Sequence, residues 1–185
     1  MLAGLERCSV IKPFPMPPVF RYCPFCQTKL QPFSEGERLR LICPACGWIH
    51  YRNPTVGVAV ILLRDPPDEN KPPVILLGER RSTGWCIPCG HVEWDEAVEQ
   101  AARREFKEET GLEVELAGIY AVLSNFHDPQ HQTVGIWYAG HQTGGQLIAG
   151  GDLLRVEFFP LDRLPDLIFP TDREVTRRLQ RTYLG

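Results

Sequence analysis

The sequence predicts an α+β domain, an α/β/α layered arrangement about a mixed sheet, preceded by a small domain organised by cysteines. Three observations predict it: β-branched apolar runs of strand length, two stretches with helical spacing set among further strand patterns, and paired cysteines between residues 23 and 46. At 185 residues, 43% hydrophobic and 23% charged, the chain holds enough apolar mass for one ordinary domain and an appendage. A net charge of −3 is too near neutral for the chain as a whole to present a nucleic-acid or membrane surface. That balance hides an asymmetry, because residues 1–52 carry seven basic and three acidic side chains, against thirteen and twenty in residues 53–185.

Residues 1–19 are Pro-rich and lack any period, which predicts a tail; Cys8 within it carries no signal. Residues 20–52 have little apolar mass and cannot fold by burial alone. Pro54 pushes Asn53 toward extended backbone and opens the second domain, residues 53–185. Thr55–Leu63 and Pro72–Gly78 read as neighbouring core strands joined by a charged, Pro-rich loop. Residues 95–110 have helical composition, and Gly111 is placed for a left-handed C-cap. Further strands are expected at 113–123, 132–140 and 154–159, and a last amphipathic helix at 172–183. Five glycines between Gly140 and Gly151 predict a mobile loop. The apolar run Thr55–Leu63 is far short of the roughly 20 residues that cross a bilayer. The first 18 residues, broken by Lys12, Pro13, Pro15, Pro17 and Pro18, hold no apolar core of leader length. The expectation is a cytoplasmic protein without a membrane partner.

Cys23-Pro-Phe-Cys26 and Cys43-Pro-Ala-Cys46 are two C-x2-C pairs at the separation of a structural zinc site. Four thiolates give Zn²⁺ a closed tetrahedral shell, and metal binding supplies the folding free energy that so small a piece lacks. The chain between the pairs is long enough for a hairpin, so a zinc ribbon is expected. A closed shell leaves no coordination position for chemistry, which makes the ribbon a support. Its basic balance, with Phe20, Tyr22 and Phe25 interspersed, permits nucleic-acid contact without favouring it. A third pair, Cys86-Ile-Pro-Cys89, lacks a partner pair and reads as two small, semi-buried loop residues.

On a helical wheel centred on Glu105, Glu108 falls about 60° to one side and Glu109 about 40° to the other. Ala101 and Ala102 share that side, whereas Gln100, Arg103 and Lys107 lie opposite. Three carboxylates therefore continue the inward stripe of the helix instead of its solvated face. The arrangement violates two local rules: like charges at i, i+3 and i, i+4 repel, and the helix C-terminus disfavours anions. Such clustered violations mark functional sites, and the natural compensation is a hard divalent cation, Mg²⁺ or Mn²⁺, that accepts carboxylate and phosphate oxygens together.

The stretch from Gly90 through Glu96, Arg104, Glu105, Phe106, Glu108, Glu109 and Gly111 to Leu112 matches the Nudix box, G-x5-E-x7-R-E-U-x-E-E-x-G-U with U apolar, at all nine constrained positions. The chain thus resembles the Nudix hydrolases. With the ribbon and Tyr51-Arg52-Asn53-Pro54 ahead of the box, it is similar to the subgroup of NADH, ADP-ribose and FAD pyrophosphatases. The resemblance implies a layered Nudix fold and hydrolysis of a nucleoside diphosphate linked to another moiety. It further implies that Glu105, Glu108 and Glu109 bind metal, that Arg104 and Glu96 orient them by ion pairing, that the Gly90 carbonyl completes the metal shell, and that the protein is a homodimer. Two departures stand out: Ser124-Asn125-Phe126-His127-Asp128-Pro129 occupies the place of the Ser-Gln-Pro-Trp-Pro-Phe stretch of NADH pyrophosphatases, and Pro88-Cys89-Gly90 replaces Pro-Gly-Gly or Pro-Ala-Gly.

The expected activity is therefore Mg²⁺-dependent cleavage of ADP-ribose or a related dinucleotide such as FAD, releasing AMP. NADH is second and a nucleoside triphosphate third. The alternative of another class is a nucleotide-sensing module whose ribbon contacts nucleic acid. Glu157, His127, Asp128 and His131 are candidate bases outside the box, and Trp85, Trp94, Phe126, Trp137 and Tyr138 are available as ring platforms.

Overall fold

The computed structural model describes residues 20–185 except 67, 69, 70, 82 and 83, and the chain divides into two compact units between Asn53 and Pro54. The expected tail over residues 1–19, with Cys8, lies outside the described residues. Among the described residues no helix is long and apolar enough to cross a membrane.

In the first unit, strands β1 (Gln31–Glu35), β2 (Arg38–Ile42) and β3 (Ile49–His50) form an antiparallel sheet in that order. The hairpin turns at Gly36, whose φ of 60° only glycine adopts without cost. Each C-x2-C pair closes a knuckle of the same build: Gln27 N–H donates to the Cys23 carbonyl and Gly47 N–H to the Cys43 carbonyl, both at 2.9 Å. Gln27 and Gly47 both take positive φ, 59° and 76°. The four sulfurs lie within 4.8 Å of one another, with Cys23 to Cys46 at 3.6 Å and Cys26 to Cys43 at 3.4 Å. Zn–S bonds of about 2.3 Å in a tetrahedron set sulfurs about 3.8 Å apart, so the cluster has the dimensions of that ion's shell. Cys23, Cys43 and Leu30 are the buried residues here, packed on Leu41 and Trp48, which is too little apolar mass for a core.

In the second unit, strands β4 (Thr55–Arg64), β5 (Val74–Arg80), β6 (Gly84–Cys86) and β7 (Cys89–His91) precede helix α1 (Val98–Thr110). Strands β8 (Leu112–Asn125), β9 (Thr133–Gly145) and β10 (Leu153–Pro160) then lead to helix α2 (Pro170–Tyr183). The mixed sheet runs β10-β5-β4-β9-β8, with β6 on β5 and β7 on β4; β4 and β9 are parallel and the other pairs antiparallel. Alternation along β4 splits its apolar run between two cores. Val58, Val60 and Leu62 face Ala101, Ala102 and Phe106 of α1, while Ala59 and Ile61 face Val175 and Leu179 of α2. A strand covered on both sides must be apolar on both, which is why this run is continuous.

Three expectations change. Helix α1 begins at Val98 instead of residue 95, because Glu96 belongs to the preceding turn and its carboxylate accepts from Glu93 N–H. The three-residue strands β6 and β7 are too short to leave a pattern in the sequence. The mobile loop is absent: residues 140–145 continue β9, and the following segment docks on the end of α1. Gln146, Ile148 and Gly150 donate to the carbonyls of Gly111, Thr110 and Glu109 at 3.2, 2.9 and 3.0 Å. The glycines serve close approach, since a Cβ on Gly150 would lie 2.3 Å from the Glu108 carbonyl oxygen and one on Gly111 2.3 Å from that of Gln146. Gly111, at φ 71°, also caps the helix as expected by donating to Lys107 O.

Asp172, 1% exposed in the first turn of α2, joins that helix to the sheet by accepting from Ile87 N–H at 2.9 Å and Trp137 Nε1–H at 3.1 Å. Burial raises its carboxyl to about 7, against the opposing pull of those two donors.

Gly111→Ala should lower the unfolding free energy by about 2 kcal/mol, from the left-handed backbone and the crowded Gln146 carbonyl; a denaturant midpoint unchanged from the wild type would refute the close-approach role. A carboxyl raised in the folded state stabilises fully below its unfolded value and loses that contribution as pH rises through about 7. Melting temperature should fall between pH 5 and 8, and the fall should be smaller in Asp172→Asn; parallel melting curves across that range would count against it.

Candidate active site

A cleft of about 520 Å³ opens where β4 and β9 begin, walled by β7, the C-terminal half of α1, the 125–133 connection and the start of α2. Gly57 and Gly135, paired across β4 and β9, lie on its floor with Ala59 and Trp137. The Trp137 indole lies back over Gly135, where a Cβ would stand 2.5 Å from the ring, and Asp172 fixes its nitrogen.

The helix delivers its three glutamates into this cleft at graded depth. Glu109 is buried at 3% exposure, Glu105 is half-buried, and Glu108 is exposed at the mouth. The inward stripe is thus correct for Glu105 and Glu109, whereas Glu108 faces the open side. Gly90 explains how Glu105 fits: a Cβ at that position would lie 2.0 Å from the Glu105 carboxyl carbon, so only glycine lets the carboxylate seat against the β7 backbone. Glu109 receives Cys89 N–H at 2.7 Å and an Arg80 guanidinium N–H at 3.1 Å. Burial nevertheless drives its carboxyl up to about 9, the Cys89 thiol adding to the rise and Arg80 opposing it.

Arg104 lies among the acids of the box. It donates two bonds of 2.8 Å to both oxygens of Glu96, one of 2.8 Å to Glu105, one of 3.2 Å to Glu108 and one of 3.1 Å to the His91 carbonyl. Glu96 is held below the ordinary carboxylate range by that pairing. A bidentate arginine fork of this kind fixes orientation as well as charge.

Sequence reasoning missed three residues. Arg80, the last residue of β5, bridges Glu109 and Asp152 and donates to the Cys89 carbonyl at 2.8 Å. Asp152 follows the docked glycine segment, and Asp172 closes the cleft beside Trp137. The only trace of Arg80 is a charge ending an apolar run, and Asp172 resembles an ordinary acid in a helix first turn. Of the candidate bases, His127, Asp128 and His131 line the cleft, with Asp128 Oδ2 and His131 Nδ1 3.0 Å apart, while Glu157 is exposed on β10 away from it. Of the five aromatics proposed as ring platforms, Trp137 lines the cleft, where Phe169 joins it; Trp94 is fully exposed, Phe126 points to solvent, Trp85 packs on Phe159 and Tyr138 lies in the α1-side core. Cys86 is fully buried and Cys89 half-buried, and the backbone of Cys89, at ordinary φ, is what holds Glu109.

The carboxylate oxygens of Glu105, Glu108, Glu109 and Asp152, with the glycine cradle at Gly90, are a hard donor set that suits a divalent cation. Two guanidinium groups pair with them, Arg80 with Glu109 and Asp152 and Arg104 with Glu105 and Glu108.

Comparison with known proteins agrees with this geometry. The NUDIX domain family matches residues 53–179, and the zinc-ribbon family described as Nudix N-terminal matches residues 21–52. An ADP-ribose pyrophosphatase of Methanocaldococcus jannaschii is 37% identical over 128 residues, covering 66% of this chain and 72% of that protein. A NAD-capped RNA hydrolase, NudC, of Pseudomonas aeruginosa is 31% identical over 169 residues, covering 89% of this chain; the chain spans 56% of that protein's length. The crystal structure of a NUDIX hydrolase from Nitrosomonas europaea superposes with a TM-score of 0.71 at 29% identity, over 88% of this chain and 91% of that one. With the box intact and its glutamates gathered in one cleft, the chain belongs to the Nudix family of hydrolases, with the family's N-terminal zinc ribbon ahead of the domain.

Proposed function

We propose that this Nudix enzyme cleaves the diphosphate of ADP-ribose or a related dinucleotide such as FAD, adding water across one P–O–P bridge to release AMP and a second phosphorylated fragment. The observation that carries the reading is the convergence of Glu105, Glu108 and Glu109 on one cleft with Gly90 cut back to receive a carboxylate. A bound Mg²⁺ or Mn²⁺ would neutralise the bridging diphosphate and lower the pKa of a water for in-line attack. Glu105, Glu108, Glu109 and the Gly90 carbonyl would hold it, and the same geometry adds Asp152 as a neighbouring donor. Arg104, saturated by Glu96, keeps Glu105 and Glu108 aimed at the cleft. Asp128 pairs with the His131 ring in the cleft lining, which makes His131 a candidate base for the attacking water.

The likeness to the archaeal ADP-ribose pyrophosphatase supports the substrate. A dinucleotide with a nicotinamide half is the second reading, supported by the NudC likeness; a nucleoside triphosphate follows. A purely ligand-sensing module is disfavoured because every carboxylate of the box is present. The reading includes Zn²⁺ on Cys23, Cys26, Cys43 and Cys46 as a structural ion, a cytoplasmic setting that keeps those thiols reduced, and a homodimer to which the exposed Ile119 and Val122 of edge strand β8 could contribute.

Purified protein with Mg²⁺ should convert ADP-ribose to AMP and ribose 5-phosphate. Glu108→Gln should lower kcat at least about a hundredfold while leaving the fold intact by circular dichroism. AMP from NADH alone would shift the substrate to the second reading, and turnover of none of the panel of ADP-ribose, FAD, NADH and triphosphates would move weight to the sensor. Metal analysis should find one zinc per chain. Cys43→Ser should lose it and expose residues 20–52 to protease while residues 54–185 stay resistant; undiminished zinc in that variant would refute the assignment.

A further inference from the structure

Arg80 is the cleft residue that the box does not account for. It rises from the end of β5, not from the Nudix helix, and its guanidinium lies between two acids: one N–H donates to Glu109 at 3.1 Å and the other terminal nitrogen pairs with Asp152. The Glu109 carboxyl it meets is 3% exposed, and this guanidinium and the Cys89 N–H are the donors that hold it. Arg80 is itself largely enclosed, with its side chain 21% exposed, yet its buried Nε makes no hydrogen bond. Its seat is therefore incomplete: two of its contacts are acids that a divalent ion would claim, and one donor is left unused. Arg104 differs, because both oxygens of Glu96 saturate it on the side away from Glu105 and Glu108, and nothing about cation entry disturbs that pairing.

We infer that Arg80 is a resident counter-ion of the metal site, a positioning residue that holds Glu109 and Asp152 ready in the metal-free protein and competes with the incoming cation for Glu109. The inference rests on the proposal that the box glutamates bind a divalent ion. Its direction follows from charge. A guanidinium beside the site repels a doubly charged ion twice as strongly as it repels a single proton on Glu109. Removing it therefore favours the metal even where Glu109 must first release a proton. A scaffold role for Arg80 predicts the opposite, since loss of its bonds to Cys89 and Asp152 would loosen the ligands and weaken binding.

The test is a Mn²⁺ titration of the full-length, zinc-loaded chain, with free Mn²⁺ read by electron paramagnetic resonance, on wild type, Arg80→Met, Arg80→Lys and Glu108→Gln. Arg80→Met should bind Mn²⁺ about tenfold more tightly and Arg80→Lys close to wild type, because lysine restores the charge without the fork. Metal-free Arg80→Met should also melt lower than metal-free wild type and gain more in melting temperature from saturating Mn²⁺. Unchanged or weaker binding in Arg80→Met, with Glu108→Gln weakened as expected, overturns the counter-ion role and leaves the metal assignment standing. Binding by wild type that Glu108→Gln does not weaken overturns the metal assignment itself, and the inference with it.

Discussion

Seating Glu109 is the constraint around which the site is built. A carboxylate at 3% exposure costs several kcal/mol unless paired, and the C-terminal turn of a helix presents unsatisfied carbonyls that repel it further. Each neighbouring element relieves part of that cost. Strand β7 offers the Cys89 N–H, β5 offers Arg80, and the segment after β9 turns three N–H groups onto the last carbonyls of α1, which removes part of the negative end that Glu109 would otherwise face. The glycines of that segment are there because backbone must reach backbone within contact distance, as Gly150 does against Glu108 and Gly111 against Gln146. What composition alone suggests to be a lid is a clamp.

The two faces of the sheet divide the labour. The face under α1 is a closed apolar core anchored by Phe106, and it fixes the helix that carries the glutamates. The face under α2 is closed at one end by Leu161, Val175 and Leu179, and at the other Gly135 makes room for the Trp137 indole, which borders both this core and the cleft. Asp172 marks the border. It uses its carboxylate on Ile87 N–H and the Trp137 indole, tying α2, the loop ahead of β7 and the cleft floor together with one buried group. A polar tie of this kind specifies one arrangement where apolar contacts alone would allow several.

The parts legible in the sequence were those with a local period or a local spacing. The wheel through Glu105 finds the acidic stripe because helical neighbours are fixed by 3.6 residues per turn, and C-x2-C finds the sulfur cluster because a knuckle needs that interval. Arg80, Asp152 and Asp172 were out of reach for a matching reason: they meet Glu109 and Trp137 only through strand pairing and loop docking across 29 to 72 residues of separation. Nothing in VILLGERR says which of Glu79, Arg80 and Arg81 turns inward until β6 pairs with β5. Cys86-Ile-Pro-Cys89 reads correctly as two small, buried or half-buried residues, and the useful part of Cys89 is its backbone N–H, which any residue except proline could supply.

The charge of the cleft constrains the order of events. Its lining contains seven acids, Glu93, Glu105, Glu108, Glu109, Asp128, Asp152 and Asp172, and one guanidinium, Arg80, already engaged by two of them. The diphosphate of the proposed substrate would bring further negative charge, and a cleft of this sign would repel it at the distances where steering acts. The polypeptide therefore supplies almost no direct cationic contact for the phosphates. On the proposed reading, attraction would come from cations held by the carboxylates, which would make the metal part of the substrate-binding surface as well as of the chemistry. Substrate would then arrive with the cation or after it.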